Sequence, residues 1–133
     1  MSVKKQVLSK LTFTSTNFGR FYANTQFPKI DENGDVIAKL ETPYAASSGF
    51  LTNLIDGIST VSLAAITHPE TKFGVSLSLD VNISGANDVT DTVYLSSSVI
   101  DKNDKLATLD CKVYSDEEMT KMIAQGTHIK FLV

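Results

Sequence analysis

The sequence holds a single cysteine, three prolines and no tryptophan. One thiol excludes an intramolecular disulfide and fits a reducing, intracellular setting. No apolar run approaches the roughly 20 residues that cross a bilayer, so no membrane partner is expected. Met1 to Lys5 leads into polar residues without a hydrophobic stretch, so no secretory leader is expected either. Histidine is scarce. His68 precedes Pro69 in a turn-like segment and His128 lies in the last strand, neither with an acid or nucleophile at a telling spacing. Hydrolytic centres need a nucleophile, a base and an orienting group that converge, and no local nucleophile motif marks one here. Cys111 alternates with Leu109 and Val113, as a buried small hydrophobe would.

Metal and phosphate motifs are missing as well. No histidine or cysteine cluster has zinc spacing. Asp31, Asn33 and Asp35 resemble the start of a calcium loop, but the glycine follows Asn33 and the twelfth position is Thr42. A hairpin turn accounts for the same residues. Gly19, Gly34 and Gly49 are isolated turn or cap residues. Neither an enzyme nor a cofactor is expected on these grounds. The sharpest absence is local: residues 1–30 contain no carboxylate, although the chain carries 15 acids and a net charge of −3. That segment holds Lys4, Lys5, Lys10, Arg20 and Lys29 beside Phe13, Phe18, Phe21, Tyr22 and Phe27. Cations beside exposed rings suit an unpaired nucleic-acid strand, with phosphates on the cations and bases on the rings. The alternative is a basic strand whose rings face the core.

At 133 residues, 42 % apolar and 20 % charged, the chain reads as one globular domain, 1–133. Val75, Leu77, Leu79, Val81 and Ile83 alternate with polar residues, the period of a half-buried strand. Looser alternation over Val7 to Phe13 suggests a first strand, and Arg20 to Phe27 a second. Asn33-Gly34 marks a tight hairpin leading into a third strand, Val36 to Thr42. A short helix is expected after Ser47 or Ser48, with Phe50, Leu51, Leu54 and Ile55 on one face and Gly57 as its stop. A second opens at the capping box Ser115 to Glu118, carries Met119, Met122 and Ile123, and stops at Gly126. Ile30-Asp31, Asn33 and Asp35 are echoed by Ile100-Asp101, Asn103 and Asp104, a candidate internal repeat with halves 1–66 and 67–133.

The segment Val61 to Val81 reads as strand, loop, strand, with Lys72 and Phe73 placing a further cation and ring at the loop. This order of elements is that of the OB-fold barrel. The stretch from Asp31 to Val81 resembles small phage-type single-stranded DNA-binding proteins of that fold. The resemblance implies a binding face bearing Arg20, Phe21 and Tyr22 with Lys72 at its rim.

The expectation is therefore a mainly β (α+β) domain with an antiparallel, barrel-like, OB-like sheet and two short helices. Its expected function is non-enzymatic binding of single-stranded nucleic acid, with little sequence preference and a viral source. Phe18, Phe21, Tyr22 and Phe73 would stack on bases, while Lys4, Lys5, Lys10, Arg20, Lys29 and Lys72 would neutralise phosphates. The competing expectation is a virion or assembly module that forms a homodimer or higher homo-oligomer through its sheet edges.

Overall fold

The computed structural model describes residues 2–14, 25–42, 47–84 and 91–132. Its elements are α1 (Val3–Thr14), β1 (Thr25–Ile30), β2 (Val36–Glu41), α2 (Ser48–Ile66), β3 (Val75–Ile83), β4 (Thr92–Lys102), β5 (Leu106–Tyr114) and β6 (Met122–Phe131). The six strands form one antiparallel sheet in the order β1-β2-β4-β5-β6-β3. β1 and β3 stand at opposite edges, so the sheet is open and the barrel closure expected from sequence is not observed. The mainly antiparallel α+β class is.

α2 organises the molecule. Ser47 caps it by accepting the Phe50 amide at 3.3 Å, and the helix then runs 19 residues, through Gly57. The expected stop at Gly57 fails for a physical reason. Glycine inside a helix costs about 1 kcal/mol against alanine, but Leu51, Leu54, Ile55, Ile58, Val61, Ala64 and Ala65 are all buried and hold the helix past it. Val61, expected in a strand, belongs to this helix. α2 packs on β4, β5 and β6, against Val93, Leu95, Cys111, Val113, Ile123 and Ala124. By length and composition it could cross a membrane, but 67 % of that apolar window is buried within the fold.

Two further expectations change sign. Val7 to Phe13 lies on helix α1, not a strand, since Val3, Val7 and Leu8 also fit a helical period; Val7 is fully buried and α1 packs on α2. The Ser115 to Glu118 segment starts no helix. The Asp116 carboxylate instead accepts the Thr120 and Lys121 amides, closing the turn between β5 and β6. The Asn33-Gly34 hairpin is present: Gly34 adopts φ +83°, donates to the Asp31 carbonyl at 3.1 Å and leads into β2. A side chain there would meet Val99 Cγ2 at 2.6 Å as well.

The seat of α2 on β6 depends on a second glycine. A Cβ at Gly126 would collide with Ile55 Cγ2, a methyl on a branched carbon that has little freedom to move. Gly126→Ala is expected to destabilise the protein by about 1–3 kcal/mol, the range for overpacking. Urea denaturation would show it. In that background Ile55→Ala should cost less than it does alone, because both changes act on one contact.

Candidate functional site

One face of α2 breaks the apolar rule. Asp56, Ser59 and Thr60 lie at helical spacings of three and four, hence side by side. Beneath them β6 presents His128 and Lys130, two residues apart and on the same side of the sheet. His128 is fully buried and Lys130 nearly so. The imidazole is held at both nitrogens: Ser59 Oγ lies 2.8 Å from Nδ1 and Ser76 Oγ, from β3, lies 2.7 Å from Nε2. Asp56 Oδ1 is 3.6 Å from Nε2, and its side chain is 46 % exposed. The Lys130 ammonium donates to Thr60 Oγ1 at 2.9 Å. Thr60 in turn donates to the Asp56 carbonyl at 2.8 Å.

The electrostatics follow from burial. His128 titrates below its ordinary value of 6.5, first because burial penalises the imidazolium and then because Lys130 repels it; the Asp56 carboxylate opposes both. Burial likewise lowers the pKa of Lys130, again opposed by Asp56. The centre thus pairs a half-exposed carboxylate with a buried, neutral imidazole that touches an exposed serine hydroxyl. Such a set can take and return a proton beside a bound electrophile. Cys111 cannot serve in this way: it is buried in β5, and burial raises its thiol pKa far above the ordinary value. Among the described residues, no group of three or more His, Cys, Asp or Glu side chains is placed to hold a metal.

The residues expected to bind nucleic acid do not form this centre. Lys4, Lys5 and Lys10 lie on α1, with Lys5 exposed and Lys4 partly buried. Lys29 on β1 pairs with Asp31 at 3.5 Å, and Lys72, before β3, pairs with Glu70 at 3.3 Å. Phe73 is half-buried against the core and Phe27 is buried, so both rings serve packing. Phe18, Arg20, Phe21 and Tyr22 lie outside the described residues. The cations that are described are spread over a helix, a strand and a loop. Sequence reasoning passed over Asp56, Ser59, Ser76 and Lys130, and set His128 aside for want of an acid or nucleophile at a telling spacing. The signal was the polar stripe at 56, 59 and 60, hidden once Gly57 was taken as a helix end.

No protein-family model matches the chain, and no curated protein matches it by sequence. Its fold does match solved structures. Thioesterase superfamily member 2 of zebra fish superposes with a TM-score of 0.79 at 20 % identity, over 100 % of this chain and 99 % of that one. The Mus musculus member 2 gives 0.80 at 18 % identity, over 100 % and 99 %. A hypothetical thioesterase protein of Streptococcus pneumoniae TIGR4, solved with coenzyme A, gives 0.76 at 16 %, over 95 % and 96 %. At such identities the shared property is the fold. That finding overturns the OB-fold resemblance. The single-strand-binding function, the nucleic-acid partner and the viral source fall with it, and a fold shared with thioesterase superfamily structures also counts against the competing virion module. The exclusion of catalysis falls too, and the arrangement of Asp56, His128 and Ser76 opposes it independently.

Buried His128 carries a pH signature. The unfolded chain takes up its proton near pH 6.5, whereas the folded protein does so only at lower pH. The unfolded state therefore binds more protons in that interval, and stability falls with falling pH. The urea midpoint is expected to drop as pH passes below about 6.5. His128→Gln should flatten that drop. Asp116, whose pKa is lowered from 3.8 by its bonds to Thr120 and Lys121, contributes only at far lower pH.

Proposed function

We propose that this chain hydrolyses acyl-coenzyme A thioesters at the centre formed by Asp56, His128 and Ser76. The observation that carries this reading is the half-exposed Asp56 carboxylate set 3.6 Å from a fully buried imidazole. The arrangement sits in a fold that this chain shares from end to end with thioesterase superfamily proteins. One protein of that fold was solved with coenzyme A, which supports the acyl carrier chosen here.

The chemistry asks little more of the protein. A thioester carbonyl is a good electrophile and its thiol a good leaving group, with an ordinary thiol pKa near 8.5. What remains is to remove a proton from the attacking oxygen and deliver one to the departing sulfur. His128, neutral near pH 7 because burial and Lys130 lower its pKa, can do both. Asp56 supplies the negative charge that favours the imidazolium formed in between. Lys130 is held by its bond to Thr60.

The test is a panel of acyl-coenzyme A chain lengths, followed by release of free thiol. Turnover of at least one member is expected, with kcat falling by roughly 10²–10³-fold in Asp56→Asn, the range for loss of one preorganised electrostatic partner. The rate should also decline on the acid side as His128 becomes protonated, and this decline should lie below pH 6.5. Failure to hydrolyse any member of the panel would overturn the reading.

A further inference from the structure

Counting hydrogens around His128 identifies the attacking oxygen. Ser59 Oγ lies 2.7 Å from the Ile55 carbonyl and 3.1 Å from that of Asp56. Carbonyl oxygens only accept, so the single hydroxyl hydrogen of Ser59 is committed to the helix backbone. The 2.8 Å contact between Ser59 and His128 must then be donated by Nδ1–H. A neutral imidazole carries one N–H, which leaves Nε2 as a bare lone pair. The 2.7 Å contact at Nε2 is therefore donated by the hydroxyl of Ser76. The result is a directed chain from Ser76 O–H to Nε2, from Nδ1–H to Ser59, and from Ser59 O–H to the Ile55 carbonyl.

We propose that Ser76 is the nucleophile of this centre and that the reaction passes through an acyl ester on its Oγ, with His128 as base. The proposal rests on the thioesterase reading and adds to it the identity of the attacking atom. Nucleophile, base and orienting group stand in hydrogen-bonded order, which is the arrangement that activates a serine. Access agrees with it, since Ser76 is exposed while its base is fully buried. The backbone agrees as well. The β3–β6 register shifts between Ser76 and Ser78, and such bulges re-aim side chains. The Asp56 carboxylate, which only accepts, leaves the Nε2 lone pair to Ser76, and at 3.6 Å it is near enough to stabilise the imidazolium. Among the described residues, Ser62 and Cys111 lack this combination. Ser62 donates to Ser97 at 2.7 Å with both residues buried, and Cys111 is enclosed in the core.

The step balances without any further reactant except water. Ser76 Oγ bonds to the thioester carbonyl carbon as its proton passes to Nε2. The C–S bond then breaks, and the Nε2 proton goes to the departing sulfur, releasing the free thiol and leaving the acyl ester. Water next gives a proton to Nε2 and bonds to the ester carbon. The C–Oγ bond breaks, Ser76 recovers the proton, and the carboxylic acid leaves.

The first experiment is acid quench of the full-length protein during acyl-coenzyme A turnover, followed by intact mass and peptide mapping. An acyl adduct on the Ser76 peptide is expected, absent in Ser76→Ala and recovered as a thioester in Ser76→Cys. Thiol release should fall by roughly 10³-fold or more in Ser76→Ala, while Ser78→Ala, on the same strand, leaves it unchanged. If Ser76→Ala turns over at the wild-type rate while Asp56→Asn does not, water attacks directly and the proposal is overturned. A fluorophosphonate probe separates this proposal from the reading beneath it. Labelling of Ser76 in the wild type, lost in His128→Gln, supports the nucleophile even if no acyl-coenzyme A is hydrolysed. No labelling and no adduct would overturn it even if thioesters are hydrolysed.

Discussion

The close seating of α2 on the sheet is the constraint from which the rest of the structure follows. Ile55 reaches β6 only because Gly126 has no side chain. Leu51, Leu54, Ile58 and Val61 are fully buried along the same helix. Each such side chain contributes about 1.5–3 kcal/mol by leaving water. That apolar contact fixes the height and rotation of the helix over β6. Rotation matters for chemistry, because it alone decides that Asp56, Ser59 and Thr60 look down on His128 and Lys130 instead of out to water.

Burying an imidazole and an ammonium in this contact runs against stability, since neither group is favoured away from water unless bonded. The fold offsets this locally. Ser59 and Ser76 bond both nitrogens of His128, and Thr60 accepts from Lys130. Only serine and threonine are used, and each is short enough to bond without displacing the apolar neighbours. The two serine hydroxyls also orient the ring, so groups that make burial tolerable also define which nitrogen carries the proton. Structural satisfaction and chemical direction are here one network.

The sequence made some of this legible and hid the rest for identifiable reasons. The Asn33-Gly34 hairpin, the strand after it and the strand at 75–83 follow from local rules of turn geometry and alternation, and the structure contains them. Cys111 is buried, as its alternation with Leu109 and Val113 implies. Local rules failed where tertiary burial decided the outcome. Gly57 reads as a stop but lies inside a helix enclosed on most sides. Ser115 to Glu118 reads as a helix cap, yet Asp116 uses its carboxylate to close a turn. The last strand was expected around His128, but its first half was read as the end of a helix, because the inward positions Ala124, Gly126, His128 and Lys130 carry almost no hydrophobic alternation. The partners of His128 are 52 to 72 positions away in the chain (Ser76 and Asp56), so no spacing rule could join them.

The strand that brings Ser76 to the centre is also the last in the sheet. Beyond β6, no described strand pairs with β3, and Val75 and Leu77 on either side of Ser76 are 55 % and 60 % exposed. An unpaired edge of this kind is a template on which a further strand can register. A strand that settled there would lie beside the Ser76 hydroxyl and narrow its access to solvent. Under the proposed function, the rate per molecule would then depend on what occupies that edge.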